Sequence, residues 1–332
     1  QVANITKTQI VKLASIGVAT MKALAQVGDQ AKVQGIQDPT LIRLVEQAAL
    51  QVHEKETGEQ LVKCLGAVQE DKGFERMPPP DEGDLFFDME GDPMYPEGLE
   101  YLFGVYYFEN NTAQFKAFWA HTRAEEGQAF SGFMNFVNER LARYPNAHIY
   151  HYAPYEVTAL TKLSARHGVM AAEVAWLLAE DKMIDLYKVI RGSIMISQPS
   201  YSIKKLEVFY DFARKSKVVD AGSSIEQYDQ YRQLVETDPA EAAAILQMIS
   251  DYNEDDCVST LALWEWLAEM DGAHKKYETF RSAVASKKAE WATDPEDEDS
   301  ATSKAERELA ELQRATDDMA AALDGWPWGE DE

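Results

Sequence analysis

The chain has 332 residues and is 45% hydrophobic, which is enough apolar material for one large domain or two ordinary ones. Its 57 acidic residues outnumber its 32 basic ones, for a formal net charge of −25. Such a charge repels polyanions and argues against a purely electrostatic nucleic-acid binder. The sequence contains no apolar stretch long enough to span a bilayer, and its polar opening is not a signal peptide. We expect a protein that does not associate with membranes.

The two cysteines, Cys64 and Cys257, are far apart in the sequence and form no CxxC pair. They indicate neither a disulfide framework nor a zinc site, so a reducing, cytoplasmic location fits best. Because the sequence begins without Met and ends in the letters GEDE, we expect a fragment of a longer protein.

Residues 1–76 are predicted to form a small helical unit, because their apolar positions recur at helical spacing between glycine interruptions. Residues 13–20, followed by 21–25, are similar to a helix-hairpin-helix, whose glycine turn can offer backbone N–H groups to a phosphate. A plain helical spacer is the simpler alternative. The proline-rich residues 77–83 cannot continue a helix or a central strand, so we interpret them as a linker.

The periodicity changes in the predicted domain of residues 84–285. Three aromatic-rich strands are expected to pair as an antiparallel meander, after which helices and strands alternate. In chain order the predicted elements are strands at 84–89, 101–108 and 113–120, a helix at 125–143, a strand at 147–152, a helix at 156–167, a strand at 183–187 and a long helix at 239–267. This order predicts an α/β fold with a ribonuclease H-like mixed sheet flanked by helices.

Residues 286–332 are predicted to form an acidic linker and an amphipathic helix. From residue 294 onward the sequence has 14 acidic and 3 basic residues. Residues 294–303 read as a disordered linker, and residues 304–323 as a helix that turns its apolar side chains toward a partner. Nearly half of the net charge therefore belongs to this tail rather than to the middle domain.

Asp88 and Glu90 form the first candidate pair of functional carboxylates. Alternation along a strand places their side chains on one face, near the end of the first predicted strand of the sheet. Two like charges side by side are costly unless a cation neutralises them, and Mg²⁺ prefers such oxygen ligands. Surface strands also carry such pairs by chance, so this pair needs further support.

Tyr252 and Asp256 lie one turn apart on the long predicted helix and therefore face the same way. The phenol could orient an attacking water while the carboxylate holds a metal; the alternative is a solvated acidic turn with Tyr252 in the core.

A third carboxylate, Glu156, follows a strand and a proline turn. It is either a further ligand or an acid favoured by the helix dipole.

Five short motifs occur in an informative order, and together they resemble a known family. The sequence is similar to the DEDDy branch of the RNase H-like 3′–5′ exonucleases, and most of all to the YprB-type RNase H-like domain of predicted RecB-family nucleases. The motifs read FDMEGDP at 87–93, HYAPYE at 151–156, DLY at 185–187, YSIKKLE at 201–207 and YNEDD at 252–256. The resemblance covers residues 84–270.

The resemblance implies a 3′–5′ exonuclease that hydrolyses phosphodiester bonds of single-stranded nucleic acid, most simply DNA, with two Mg²⁺ or Mn²⁺ ions. It also implies a helicase module in the same chain or a partner chain. This sequence has no phosphate loop and so does not itself include that module. Tyr252 would orient the attacking water. The implied metal ligands are Asp88, Glu90, Glu156 and Asp256, and the candidate substrate-binding residues are Tyr155, Lys204 and Lys205.

Some positions depart from the family pattern or leave alternatives open. Glu156 stands where proofreading exonucleases have Asp, which favours the alternative of a catalytically inactive nucleic-acid-binding or helicase-docking module. Asp255 competes with Asp256 for the ligand position, although the spacing from Tyr252 favours Asp256. Asp185 is either a fifth acidic ligand or a helix cap, and we favour the cap.

The basic stretch that includes Lys204 and Lys205 is either a contact for a nucleic-acid backbone or a solvated face. A scaffold that acts through the acidic tail is a third reading.

Overall fold

The computed structural model describes residues 2–28, 31–65, 72–110, 112–216 and 221–293. The chain divides into two compact units. The first contains residues 1–67, 193–200 and those from 265 onward, and the second contains residues 68–192 and 201–264. Within the described ranges, none of the helices combines the length and the apolar character that crossing a membrane requires.

The described segments contain ten α-helices and seven strands. In chain order they are α1 (Lys7–Ser15), α2 (Met21–Ala25), α3 (Asp38–Thr57), β1 (Val62–Cys64), β2 (Leu85–Asp92), β3 (Leu99–Glu109), β4 (Thr112–Trp119), α4 (Arg123–Arg143), β5 (Ile149–His151), α5 (Tyr155–His167), α6 (Ala171–Ala179), β6 (Met183–Asp185), α7 (Leu186–Ser193), β7 (Ile194–Ile196), α8 (Ile203–Leu206), α9 (Ala221–Leu234) and α10 (Pro239–Thr293).

The first unit contains the predicted short helices. Thr6 caps α1 by accepting a hydrogen bond from the backbone of Gln9, whose side chain in turn accepts one from the backbone of Thr6. Apolar side chains of α1, α2 and α3 share one core. The unit also contains an antiparallel pair, β1 with β7, which is not predicted from the sequence.

The second unit is built on a five-stranded mixed sheet in the order β4-β3-β2-β5-β6. Within this sheet β3 pairs antiparallel with both β2 and β4, β5 pairs in parallel with β2, and β6 pairs in parallel with β5. This topology confirms the predicted α/β fold with its RNase H-like sheet. The strand β2 continues to Asp92, beyond the predicted end at residue 89, so Asp88 and Glu90 lie within the strand rather than at its exit.

The predicted tail is only partly described. The helix α10 runs to Thr293, so residues 286–293 continue that helix. The predicted linker at 294–303 and the amphipathic helix at 304–323 lie outside the described residues.

Alternate residues of β2 face opposite sides of the sheet. Leu85, Phe87 and Met89 enter the core formed with α4 and α5, where the ring of Phe87 stacks on that of Phe133 with centroids 4.4 Å apart. Each such buried side chain stabilises the folded state by roughly 1.5–3 kcal/mol relative to an exposed one. Burial of this face fixes the register of the strand and directs Asp88 and Glu90 to the opposite face.

The opposite face receives α10, which approaches the sheet closely at Gly104. This glycine is the β3 partner of Asp88. A Cβ atom at Gly104 would lie 1.6 Å from Oδ1 of Asn253, and Cys257 of the same helix donates its thiol hydrogen to the Gly104 carbonyl at 3.3 Å. Farther along α10, the indole of Trp264 packs against Phe86. Only a residue without a side chain permits this approach.

We expect Gly104→Ala to destabilise the protein by about 1–3 kcal/mol, because the added methyl group overpacks the contact with Asn253. Urea unfolding followed by circular dichroism measures the change. Gly132→Ala on α4 is the matched control: its added Cβ would meet its nearest neighbour, Phe118, at an ordinary 3.4 Å, so that variant should be neutral or slightly stabilised. Equal stability of the two variants would contradict the close-approach argument.

Candidate metal centre

Three carboxylates converge where α10 crosses the sheet. Asp88 and Glu90 come from β2 and Asp256 comes from α10, and one oxygen of each lies within 4.8 Å of the others. We call these three residues the carboxylate cluster. The parallel neighbour β5 pairs with β2 only at Leu85 and Phe86. The cluster therefore lies beyond the carboxyl end of β5, where ligands bind in open α/β sheets.

Each carboxylate of the cluster is held by a hydrogen bond through one of its oxygens. Asn253 donates to Asp88 Oδ2 at 2.8 Å, Ser224 donates to Glu90 Oε2 at 3.0 Å, and Arg214 donates to Asp256 Oδ1 at 2.6 Å. Donors fixed in this way orient ligand groups in metal sites. The three side chains are therefore positioned before any ion binds.

Burial and mutual repulsion disfavour the charged forms of the cluster. Burial raises the pKa of Asp88 well above its usual value, and the charges of Asp256 and Glu90 raise it further. Burial and the charge of Asp256 raise the pKa of Glu90 to about 8. Three hard oxygen ligands that repel one another are the donor set that Mg²⁺ or Mn²⁺ prefers. The cluster could therefore hold a divalent metal ion.

Glu156 stands apart from these three carboxylates. It lies in the first turn of α5, buried, with Oε2 3.2 Å from Nδ1 of buried His151 at the end of β5. Its charge nevertheless raises the pKa of Asp88, so it belongs to the same electrostatic environment. The structure thus pairs Glu156 with His151 and does not bring it within the 4.8 Å group.

Tyr252 lies one turn before Asp256 on α10 and is buried. Its phenolic oxygen accepts a hydrogen bond from Lys204 Nζ at 2.8 Å, and the ammonium group lies 4.7 Å from the ring centre. Burial and the charge of Asp256 raise the pKa of Tyr252, so the phenol keeps its proton. Its hydroxyl hydrogen is therefore available to donate.

Two alternatives that the sequence leaves open are distinguished by hydrogen bonds. Asp255 Oδ2 accepts from the backbone N–H groups of Lys215 and Ser216, so this carboxylate faces a loop, while Asp256 joins the cluster. Asp185 Oδ1 accepts from the backbone N–H of Tyr187 in the first turn of α7 and from that of Ala153. This is the geometry of a helix cap.

A cleft of about 460 Å³ adjoins Glu90. Gly91, Glu100 and the half-exposed Tyr155 line it, and the Tyr155 hydroxyl donates to Glu100 Oε2 at 2.8 Å. Exposed Lys162 also lines the cleft. Of the predicted substrate-binding residues, Tyr155 therefore borders the cleft, Lys204 contacts Tyr252, and Lys205 is exposed on α8.

Sequence reasoning missed several side chains that shape this centre. The basic stretch that contains Lys204 and Lys205 also includes Arg214, which no pattern distinguishes there, and its partner Glu207 is the last residue of the YSIKKLE motif. Ser224, which supports Glu90, carries no signal in the sequence. Asn253 sits inside the YNEDD motif, but only the structure shows that its amide holds Asp88.

The fold and the carboxylate cluster together define an RNase H-like α/β domain with a candidate metal centre. Comparison with protein families agrees: residues 85–268, more than half of the chain, match the RNase H superfamily. The chain belongs to this superfamily, and its domain is of a class that acts on nucleic acid. Searches of the curated proteins and of the solved structures found no match.

We expect the free energy of unfolding of the metal-free protein to fall as the pH rises from about 4.5 to about 8. The lower limit is the ordinary pKa of a glutamate, and the upper limit is the pKa of Glu90 in the folded protein. Over this range the folded state keeps a proton that the unfolded chain has released. Millimolar Mg²⁺ should raise the midpoint of thermal unfolding more at pH 8 than at pH 5, and Glu90→Gln should reduce that difference. Exposed Glu139, changed to Gln, is the control; an identical response of both variants would contradict the assignment.

Proposed function

We propose that the protein is a metal-dependent nuclease, specifically a 3′–5′ exonuclease that hydrolyses single-stranded DNA. The observation that carries this proposal is the convergence of Asp88, Glu90 and Asp256 within 4.8 Å, with protonated Tyr252 one helical turn from Asp256. Carboxylates that hold divalent ions beside a donor for a water molecule are the parts that phosphodiester hydrolysis requires. RNase H superfamily membership supports the same reaction class.

In the proposed mechanism the chain supplies ligands, orientation and a hydrogen-bond donor. Bound Mg²⁺ or Mn²⁺, two ions in the full complement, would lower the pKa of a water molecule and offset the charge of the phosphate. Asp88, Glu90 and Asp256 would hold the first ion, and Glu156 is the proposed further ligand. Tyr252 would donate its hydroxyl hydrogen to the attacking water and so orient it.

The cleft beside Glu90 is the proposed binding place for the end of the nucleic acid strand. The aromatic ring of Tyr155 can stack on a base, and the ammonium group of Lys162 can contact a phosphate. Lys204, whose ammonium group contacts Tyr252, and exposed Lys205 on the same helix α8 add positive charge. These local cations offset the strongly acidic composition of the chain.

The cellular setting is also a proposal. Cys64 and Cys257 are both free and buried, which fits a reducing cytoplasm. The ordered motifs support a YprB-type domain of a RecB-family protein, in which a helicase module in the same chain or a partner chain would deliver the single strand.

A catalytically inactive nucleic-acid-binding or helicase-docking module is the second candidate. Two observations favour it: Glu156 is paired with His151 at 3.2 Å, and Asp256 is paired with Arg214 at 2.6 Å. Both contacts engage carboxylates that a two-ion centre would use. Such a module would still bind nucleic acid.

The first experiment follows degradation of single-stranded DNA labelled at its 3′ or 5′ end, with the full chain and Mg²⁺ or Mn²⁺. We expect release of the 3′ label that depends on the divalent ion. Loss of a group that only supports a metal ligand lowers activity roughly 10- to 100-fold. Asp256→Asn removes a proposed ligand itself and should therefore lower activity by at least that factor. Asp251→Asn is the control on the same helix, because Asp251 pairs only with Gln247 among the described residues. DNA binding without cleavage under all conditions would support the inactive module instead.

The second experiment tests the cleft. Lys162→Ala should raise the KM for single-stranded DNA and leave kcat nearly unchanged, because the residue contacts substrate outside the reacting centre. The slope of log affinity against log salt should also fall by about 0.7, the contribution of one phosphate contact in a single strand. Exposed Lys55, at the end of α3, provides the matched control. Equal effects of the two variants would argue against binding in the cleft.

A further inference from the structure

We propose that Arg214 is a built-in cation of the carboxylate cluster, so that the centre takes a single divalent ion when no nucleic acid is bound. The inference rests on the proposed nuclease function and specifies how that metal centre is loaded. It concerns this arginine alone, and it gives the side chain a positioning role rather than contact with substrate.

The Arg214 side chain is fixed by a carboxylate outside the cluster, that of Glu207. Its Nε and Nη2 donate to the two carboxylate oxygens of Glu207 at 3.1 and 2.5 Å, the bidentate geometry that holds a guanidinium in one orientation. Nη2 also donates to Asp256 Oδ1 at 2.6 Å. Only 14% of the Arg214 side chain is exposed, so this is not a mobile surface arginine.

Neighbouring contacts hold this ion pair in place. Ser259 on α10 donates to Glu207 Oε1 at 2.9 Å, and Asp255 accepts from the two backbone N–H groups that follow Arg214 along the chain. The loop and the helix thus secure both ends of the contact. A guanidinium that is built in this way stays when an ion binds elsewhere in the cluster.

The charges of the group are consistent with one ion. Five carboxylates, those of the cluster, Glu207 and Glu156, face two cations, Arg214 and Lys204, which leaves a formal charge of −3. One divalent ion reduces this charge to −1, and a second would reverse its sign. Arg214 also lowers the pKa of Asp256 and of Asp88 against the effect of burial. A second divalent ion would therefore bring excess positive charge until an anionic phosphate arrives.

The number of carboxylate oxygens that Asp256 has free for metal ions leads to the same conclusion. Arg214 already engages Oδ1 of Asp256, so this carboxylate has one oxygen left for an ion. Because the first ion takes that oxygen, a second ion could use Asp256 only by displacing a guanidinium that Glu207 also holds. Single-ion loading of the free protein follows, and the second ion should enter together with the nucleic acid.

The test is a Mn²⁺ titration of the full chain without nucleic acid, followed by calorimetry and by the electron paramagnetic resonance of free Mn²⁺. We expect one ion per wild-type chain. Arg214→Gln should admit a second ion, with an affinity for it increased by about tenfold or more because a unit charge a few ångström away has been removed. Arg214→Lys keeps the charge and should keep the stoichiometry at one.

Arg232→Gln is the matched control, because Arg232 also pairs with a carboxylate, Asp92, at 3.1 Å, but outside the cluster; it should bind one ion like the wild type. Circular dichroism checks that each variant folds. A folded Arg214→Gln variant that still takes only one ion would overturn this inference, and the wild-type titration can overturn it even if that variant does not fold. Two ions of similar affinity in the wild type would overturn this inference alone. No Mn²⁺ binding, or binding that survives Asp88→Asn unchanged, would overturn the proposed function together with the inference.

Discussion

The contact between α10 and the sheet at Gly104 is the constraint on which the centre depends. Asp88 and Asp256 are far apart in the sequence, and they meet because Asn253 and Cys257 pack directly onto a strand residue that has no side chain. The Asn253 amide that lies over Gly104 also donates to Asp88. One packing contact thus supplies both the close approach of the helix and the orientation of a candidate ligand.

The centre concentrates negative charge that the fold must offset. Burial favours the protonated forms of Asp88 and Glu90, while Arg214 and Lys204 favour the charged forms of their neighbours. An ion pair in such surroundings is weak evidence for stability, since desolvation cancels much of its attraction. A functional reason for retaining Arg214 and Glu207 side by side is therefore more convincing than a structural one.

The sequence predicts the sheet of the second unit well because aromatic strands and amphipathic helices have clear periods. It also predicts Asp88 with Glu90 and Tyr252 with Asp256, since period and spacing place each pair on one face. It could not reveal Arg214, because a loop residue has no period and its partners are 7 and 42 positions away. The strands β1 and β7 are missed because β1 lies in a stretch of mixed, polar composition and β7 follows the helix α7 with no residue between them.

Cys257 gives the docking contact one more consequence. Its thiol lies fully buried against the Gly104 carbonyl, and burial raises its pKa well above the ordinary value. Such a thiol is inert toward alkylating reagents until the helix separates from the strand. The rate of Cys257 alkylation therefore reports local opening of the region that brings Asp88 and Asp256 together, with no engineered cysteine needed.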